Sequence, residues 1–245
     1  MKLKTFFAAL LFLVAGMQTA WGQKMIVTLN DNSKVTYSIS QVKEVAFVEA
    51  DEPVYDGHEY VDLGLPSGTL WATCNVGANS PEEYGDYFAW GETAPKDYYD
   101  WSTYFDTDDN GSSFKKYNNN GGLTELLPED DAATKNWGSP WHMPTLVQMR
   151  ELLDNCTREW TTQGGVNGIL VTGSNGNTIF LPAAGFRWHD ELYDAGSDGN
   201  YWSSSLLLDY DNGARHLYFN LGGWDWSSGY SRYGGRSVRA VRVQE

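Results

Sequence analysis

The C-terminal segment, residues 199–243, constrains the fold of this 245-residue chain more than any other feature. Glycines divide it into short pieces, it contains no proline, and almost no aliphatic residue lies between Asn220 and Arg236. Its aromatic residues are Tyr201, Trp202, Tyr210, Tyr218, Phe219, Trp224, Trp226, Tyr230 and Tyr233. Tyrosine and tryptophan mixed with glycine, serine and asparagine are typical of a binding surface, because rigid rings give contact area at low entropic cost. The alternative is a glycine-jointed β domain that packs its rings inside.

The N-terminus predicts export. Lys2 and Lys4 precede an apolar run at residues 6–16, which is too short to span a bilayer comfortably. Ala20 and Gly22 then supply small residues at the two positions that a signal peptidase reads. We therefore predict a signal peptide at residues 1–22 and a secreted or cell-surface protein. No cysteine stands near this point for lipid attachment, and no later segment is apolar enough to span a membrane.

The charge excludes some classes of partner. The net charge of −15 becomes −17 once Lys2 and Lys4 leave with the signal peptide. Nucleic acid selects basic surfaces, so a nucleic-acid partner is not expected. The two cysteines, Cys74 and Cys156, would meet an oxidising environment after export, and we predict a disulfide between them. Closing so long a loop is worth about 4 kcal/mol in the chain-entropy model. Two separate buried thiols are the alternative.

Two parts can be distinguished along the chain. Residues 23–52 read as a small β meander, with strands at 25–29, 34–38 and 45–48 around a turn at 30–33. The main domain covers residues 55–245, with strands at 60–65, 69–74 and 87–91, a polar excursion at 93–122, a hairpin at 168–182 and a last strand at 237–243. Alternation in the last strand is imperfect, which indicates a bulge or an inward Arg242.

Two helices are predicted in the main domain. Pro128 begins the first, and Gly138 ends it. Thr145 caps the second, and Gln148 completes a capping box. Two helices among many short strands predict an α+β fold.

No motif predicts catalysis or a metal site. Residues 106–111 match the first half of a calcium-binding loop, but Tyr117 stands where the loop needs a bidentate glutamate. We read it as a solvated acidic loop, with weak or partial calcium binding as the alternative. The four histidines, His58, His142, His189 and His216, show no ligand spacing. A nucleophile in Ser203–Ser205, or an acid–base pair in His189–Glu191, would need partners that the sequence does not single out. No cofactor, metal or enzymatic activity is expected.

Several segments together resemble one family. They are residues 58–72 (HEYVDLGLPSGTLWA), 85–92 (GDYFAWGE), 130–133 (DDAA), 141–145 (WHMPT), 181–185 (LPAAG), 201–204 (YWSS) and 237–242 (SVRAVR). In this order they look like the Fibrobacter-type major paralogous domain (FISUMP) of secreted and surface proteins of Bacteroidetes. The resemblance covers about residues 55–243. The N-terminal meander is similar to a leader module found ahead of surface domains in the same bacteria.

The resemblance implies a C-type-lectin-like fold, distantly related to the formylglycine-generating sulfatase modifiers. Some members are variable proteins of diversity-generating retroelements, in which a C-terminal ligand-binding face is diversified. Here Arg236 stands where a hydrophobic aromatic residue would be more usual, and Trp224 and Trp226 fit poorly with adenine mutation.

The function predicted from these features is a non-enzymatic secreted or surface binding module. Its aromatic C-terminal face is expected to bind a glycan or protein through Tyr210, Asn212, Arg215, His216, Asn220, Trp224, Asp225, Trp226, Tyr230, Arg232 and Tyr233. The alternatives are a variable ligand-binding protein of a diversity-generating retroelement, an enzyme on a sulfatase-modifier-like scaffold, and a component of a fimbria or surface layer. The enzyme would need a reactive cysteine pair or a metal in the C-terminal cleft.

Overall fold

The computed structural model describes residues 24–28, 34–38, 54–55, 57–225 and 229–243. The chain divides into two units, Met1–Ala50 and Asp51–Glu245. In the first unit, β1 (Lys24–Thr28) pairs antiparallel with β2 (Lys34–Ser38), as the sequence predicted for these two strands. The predicted signal peptide, the turn at 30–33 and the third strand at 45–48 lie outside the described residues.

The second unit begins and ends in one antiparallel sheet. Its strand order is β15–β5–β4–β3, formed by β3 (Val54–Tyr55), β4 (His58–Asp62), β5 (Thr69–Asn75) and β15 (Arg239–Val243). The pairing of β15 with β5 shifts register between Arg239 and Val241, so the predicted bulge is confirmed. Arg242 is buried as expected, and its guanidinium lies 5.4 Å from the ring centroid of Tyr60.

A second antiparallel sheet has the order β6–β7–β8, formed by β6 (Thr157–Gln163), β7 (Val166–Thr172) and β8 (Thr178–Pro182). The predicted hairpin at 168–182 is confirmed as β7–β8. Its turn contains Gly176 at φ +86°, a backbone conformation that favours glycine. The strand β6 was not predicted.

Helix α2 (Leu146–Asn155) begins where the capping box placed it. Thr145 Oγ1 accepts from the Gln148 amide at 3.2 Å, and Gln148 Oε1 accepts from the Thr145 amide at 2.9 Å. Helix α1 (Ala132–Trp137) begins later than predicted, because Asp131 and not the turn after Pro128 caps it. The Asp131 carboxylate accepts from the Thr134 amide at 2.9 Å and from the Met143 amide at 2.8 Å. Gly138 ends α1, as predicted.

The C-terminal aromatic segment forms a third sheet around β12. It consists of β11 (Asp198–Leu206), β12 (Gly213–Asn220), β13 (Gly223–Asp225) and β14 (Gly229–Ser231). β11 runs along one side of β12. On the other side, β13 pairs with Tyr218–Asn220 and β14 pairs with Gly213–Arg215. A separate hairpin joins β9 (Phe186–Trp188) and β10 (Glu191–Tyr193).

Much of the aromatic segment is core, so the expectation of a binding surface fails for these rings and the alternative of rings packed inside holds for them. Tyr201 and Phe219 are buried with the aliphatic residues around Leu152. Trp202 is buried in a second cluster with Trp90 and Trp141. The expected strand at 87–91 is only a bridge between Phe88 and Arg236, although its side chains are buried. The main unit is therefore built mostly of antiparallel strands with two short helices, and neither of these two is long enough to cross a bilayer.

Candidate ligand-binding site

Two clefts meet at Tyr210, whose side chain is 69 % exposed. The larger, about 620 Å³, lies between the polar excursion and the β11–β12 loop, and its lining residues are Gly111–Phe114, Asn118, Asn120 and Asp209–Asn212. The smaller, about 320 Å³, lies between that loop and β14, and its lining residues are Leu207, Tyr210, Asn212, Gly213 and Gly229–Ser231. Tyr210 and Asn212 line both clefts, so the two form one continuous candidate site.

A compact turn presents Tyr210 to solvent. The Gly213 amide donates to the Tyr210 carbonyl at 2.9 Å, and the Leu207 amide donates to the Gly213 carbonyl at 3.1 Å. The opposite wall is tied to this turn through Asn119. Its backbone amide donates to Asp211 Oδ1 at 3.1 Å, and its side-chain amide donates to the Leu208 carbonyl at 2.7 Å. The larger cleft therefore has walls that are hydrogen-bonded to each other.

Arg232 holds both walls from beneath. It is 0 % exposed and donates to Asp106 Oδ2 at 3.0 Å, to the Tyr117 carbonyl at 2.8 Å and to the Asp211 carbonyl. Its guanidinium also lies 3.7 Å from the ring centroid of Phe114, a residue of the larger cleft. The prediction that Arg232 contacts ligand directly is wrong, because its donors are used inside the protein.

Asp106 belongs to this internal network. This role accounts for the acidic residue at the first position of the partial calcium-binding motif at residues 106–111. Its carboxylate accepts from the Lys116 amide at 2.8 Å and from the Tyr117 amide at 3.1 Å, in addition to Arg232. Asp109 accepts from the Ser112 and Ser113 amides at 3.0 and 2.7 Å. The Ser113 hydroxyl and amide hold the pKa of Asp109 below its usual value. Within the described ranges, no group of acidic, histidine or cysteine side chains is placed to hold a metal ion.

An aromatic strip extends the smaller cleft beyond Tyr230, which is 45 % exposed. The Phe186 ring lies 6.1 Å from the Tyr230 ring and stacks on the Tyr193 ring at 5.7 Å, centroid to centroid. Tyr193 is exposed and donates to Glu191, and this hydrogen bond raises the pKa of Tyr193. Neither Phe186 nor Tyr193 was predicted as a site residue. Their positions follow from the β9–β10 hairpin, whose short strands gave no clear periodicity.

The predicted site residues do not form one face. Tyr210, Asn212 and Tyr230 line the clefts. Arg215 is half-buried on β12 beside β14. At the other end of β12, Trp224 packs partly buried against the core, and Asp225 pairs with Tyr218. Because β14 and β13 occupy opposite ends of β12, the predicted face is divided in two.

Asn220 also lies at the end of β12 away from the clefts. Its side chain accepts from the Gly222 amide at 2.8 Å and donates to the Tyr218 hydroxyl at 2.7 Å, so it shapes the β12–β13 turn. His216 and Tyr233 are buried, at 1 and 5 % exposure, and cannot offer their rings to a ligand in this arrangement. Trp226 lies outside the described residues.

A further polar cleft of about 380 Å³ lies beside β9, and its lining residues are Gly85–Tyr87, Pro95–Asp97, Tyr99, Arg187 and Asp190. His189, near its edge, does not form the acid–base pair considered from the sequence. Its ring stacks on Tyr98 with 5.1 Å between centroids, and its Nε2 lies 3.4 Å from Asp100 Oδ2. Donation from the Ser102 amide is the largest cause of the lowered pKa of Asp100.

The serines of β11 have structural partners. The hydroxyls of Ser204 and Ser205 donate to the two oxygens of Glu125 at 2.8 and 2.5 Å, and the Ser203 hydroxyl donates to the Arg215 carbonyl at 2.9 Å. Each hydroxyl proton is therefore directed to a fixed acceptor, and no histidine is the partner.

The predicted disulfide is not formed, because Cys74 and Cys156 are both free thiols. Cys74 lies in β5 with its sulfur 3.6 Å from the Thr73 hydroxyl. Cys156 ends α2 and packs partly buried against the core, where burial raises the pKa of its thiol to about 11. The two thiols belong to different elements, and sequence spacing does not reveal which way each one faces. Neither cysteine lines the clefts described above.

In comparisons with known proteins, no family model, no curated protein and no solved structure matches this chain.

Proposed function

We propose that the chain is a non-enzymatic binding module, secreted or held at the cell surface, and that it recognises a glycan at the clefts around Tyr210. One observation carries the proposal: two exposed tyrosines, Tyr210 and Tyr230, line the smaller cleft, and Tyr210 also lines the larger, more polar cleft, whose walls are fixed from beneath.

The chemistry of the cleft suits a sugar. A flat aromatic ring covers the apolar C–H face of a pyranose, and its rigidity keeps the entropic cost of contact low. Asn212 and Asn120 place amides, which both donate and accept hydrogen bonds, around Tyr210. A shallow, polar cleft of this kind suits a ligand that is itself covered with hydroxyl groups. Tyr230 adds a second stacking surface in the smaller cleft.

The buried support favours binding without a large rearrangement. Arg232 and Asp106 fix the loop walls internally, and Asn119 ties them together at the surface. Walls that are already ordered lose less conformational entropy when ligand binds. This is the arrangement expected of a recognition surface built from loops on a rigid scaffold.

We also propose the C-type-lectin-like fold of the Fibrobacter-type major paralogous domain for residues 55–245. The pairing of β15 with β5, the two helices, and a long irregular segment next to the last strands support it. The predicted signal peptide and the net charge of −15 support export. The enzyme alternative would need a reactive cysteine pair or a metal at this cleft, and the two cysteines lie elsewhere.

A glycan array probed with residues 23–245 tests the proposal. We expect Tyr210→Ala and Tyr230→Ala each to weaken binding to the glycans found by about 30-fold, the loss typical of a hot-spot residue. Tyr98→Ala is the matched control, because Tyr98 is similarly exposed but lines neither cleft. Glycan binding that survives both substitutions would show that the glycan binds elsewhere on the protein. An array on which no glycan binds would reject the proposed function.

A further inference from the structure

Arg236 is a buried cation without a hydrogen-bond acceptor. Its side chain is 1 % exposed, and none of its three guanidinium nitrogens has a hydrogen-bond partner in the described part of the chain. Aromatic rings surround it instead. The guanidinium carbon lies 4.3 Å from the ring centroid of Trp202, 4.4 Å from that of Tyr230 and 5.6 Å from that of Phe186.

Two other arginines of this unit are buried to the same extent as Arg236, and both have hydrogen-bond acceptors. Arg232 donates to the Asp106 carboxylate and to two carbonyls. Arg239 donates to Asn75 Oδ1 and to the Ala72 and Phe180 carbonyls at 2.9, 2.9 and 3.0 Å. Arg236 has an equally buried guanidinium but no such acceptors. Its donors are thus the unused ones among these three arginines.

Leaving a buried charge without an acceptor is costly, and protein interiors rarely do so. Stacking on Trp202 and Tyr230 offsets part of this cost. Burial lowers the pKa of Arg236 to about 9, so the side chain still carries its positive charge at neutral pH. The charge is therefore present and held ready for an anion.

One aromatic ring separates Arg236 from the candidate site. Tyr230, which covers the guanidinium, is also a wall of the smaller cleft and is half exposed. It lies on β14, a three-residue edge strand that pairs only with β12 among the described strands. Because Tyr230 is half exposed and lies on a short edge strand, a shift of its side chain is the step that would bring the guanidinium to the cleft.

We propose that Arg236 is an anion-binding residue beneath the smaller cleft, and that the ligand of this module is a glycan bearing a carboxylate. The inference rests on the proposed function and specifies its ligand. The planar guanidinium offers two parallel N–H donors that match the two oxygens of a carboxylate. Tyr210 and Tyr230 both line the smaller cleft, where the sugar ring would lie. Asn212 lines the same cleft and would contact the hydroxyl groups of the sugar.

The experiment uses uronate- and sialate-bearing glycans, their methyl esters, and sulfated glycans on one array, probed with residues 23–245. We expect the protein to bind carboxylated glycans and to lose about tenfold or more in affinity when the carboxylate is esterified. Arg236→Met should cause a similar loss on the free acids and no loss on the esters. Arg150→Gln is the control, because it removes the same charge from an exposed position on α2.

Each other outcome overturns a defined part of the proposal. Equal binding of acids and esters by the wild-type protein rejects the anion site but leaves glycan binding intact. Equal or stronger binding of sulfated glycans rejects the carboxylate assignment. If Arg236→Met binds the free acids with wild-type affinity, Arg236 is rejected as the anion-binding residue. Absence of all glycan binding rejects the proposed function and this inference with it. The comparison of acids with esters needs no variant, so it remains decisive if Arg236→Met does not fold.

Thermal unfolding separates a ligand-binding role from a structural one. Methionine resembles the apolar stem of arginine and removes the unpaired charge, so Arg236→Met should leave the melting temperature equal to or above that of the wild type. Arg239→Met should lower it, because Asn75 and the carbonyls at Ala72 and Phe180 lose their donor. A comparable drop in both variants would show that Arg236 is structural and would reject the inference.

Discussion

Arg232 and Asp106 form an ion pair, with 3.0 Å between Nη1 and Oδ2, in which both side chains are almost completely buried. Arg232 also donates to the Asp211 carbonyl, so the pair connects the polar excursion to the β11–β12 loop, and these two segments line the larger cleft. Because the Asp106 carboxylate also accepts two backbone amides, the pair is the centre of a network and not an isolated contact.

Removing one partner of this pair should be strongly destabilising. Asp106→Asn or Arg232→Met leaves a buried charge without its partner, and we expect a loss of about 3–5 kcal/mol in the free energy of unfolding, measured by chemical denaturation. The exposed pair of Lys115 and Asp108 is the control, since Lys115→Met should cost less than about 1 kcal/mol. Similar small losses in all three variants would contradict a central role for the buried pair.

Substitutions of the tryptophans and tyrosines in the C-terminal segment should lower the free energy of unfolding more when the ring is more deeply buried. Trp202→Ala removes a fully buried ring and should cost about 3–5 kcal/mol. Trp224→Ala should cost less, because that ring is only partly buried against the core. Tyr210→Ala should change stability by less than about 0.5 kcal/mol. A loss on Tyr210→Ala as large as that on Trp202→Ala would show that Tyr210 is core.

The two cysteines should react as separate thiols. Mass spectrometry of unreduced, denatured protein should show both Cys74 and Cys156 alkylated. In the native state at pH 8, Cys156 should react slowly with iodoacetamide, because its pKa of about 11 leaves little thiolate. Raising the pH towards 11 should accelerate the reaction. Unreduced protein with no alkylatable thiol would establish a disulfide instead.

The acidic loop at 106–111 should not bind calcium tightly. Asp106 is engaged with Arg232 and two amides, and the Asp109 carboxylate accepts from Ser112 and Ser113, so their oxygens are already occupied. Calorimetry with calcium should detect no sub-micromolar site. Such a site, if it disappeared in Asp108→Ala, would contradict this prediction.

Features set by neighbouring residues could be predicted from the sequence. The capping box of Thr145 and Gln148 and the β7–β8 hairpin around Gly176 both depend on interactions within a few residues. Interactions between neighbouring residues determine such elements, so they can be predicted without knowledge of the tertiary packing.

Features set by distant partners could not be predicted. Arg232 was expected to contact ligand because an arginine beside tyrosines suits a binding face as well as a buried network. Its partner Asp106 is 126 residues away in sequence, and nothing near either residue indicates the pair. Burial of Tyr233 was missed for the same reason, since aromatic side chains suit both a core and a contact surface.

The pairing of β15 with β5 has a consequence for how the main unit reaches its native state. Val243 pairs with Thr69, so the sheet that contains the first strands of this unit is completed only after the chain has been made as far as β15. Contacts between such distant parts of a chain raise the contact order, and high contact order slows folding. A polypeptide that crosses a membrane through a translocation channel must remain unfolded until it has passed. For the export proposed above, late closure of this sheet would delay folding until the C-terminal strand has also emerged.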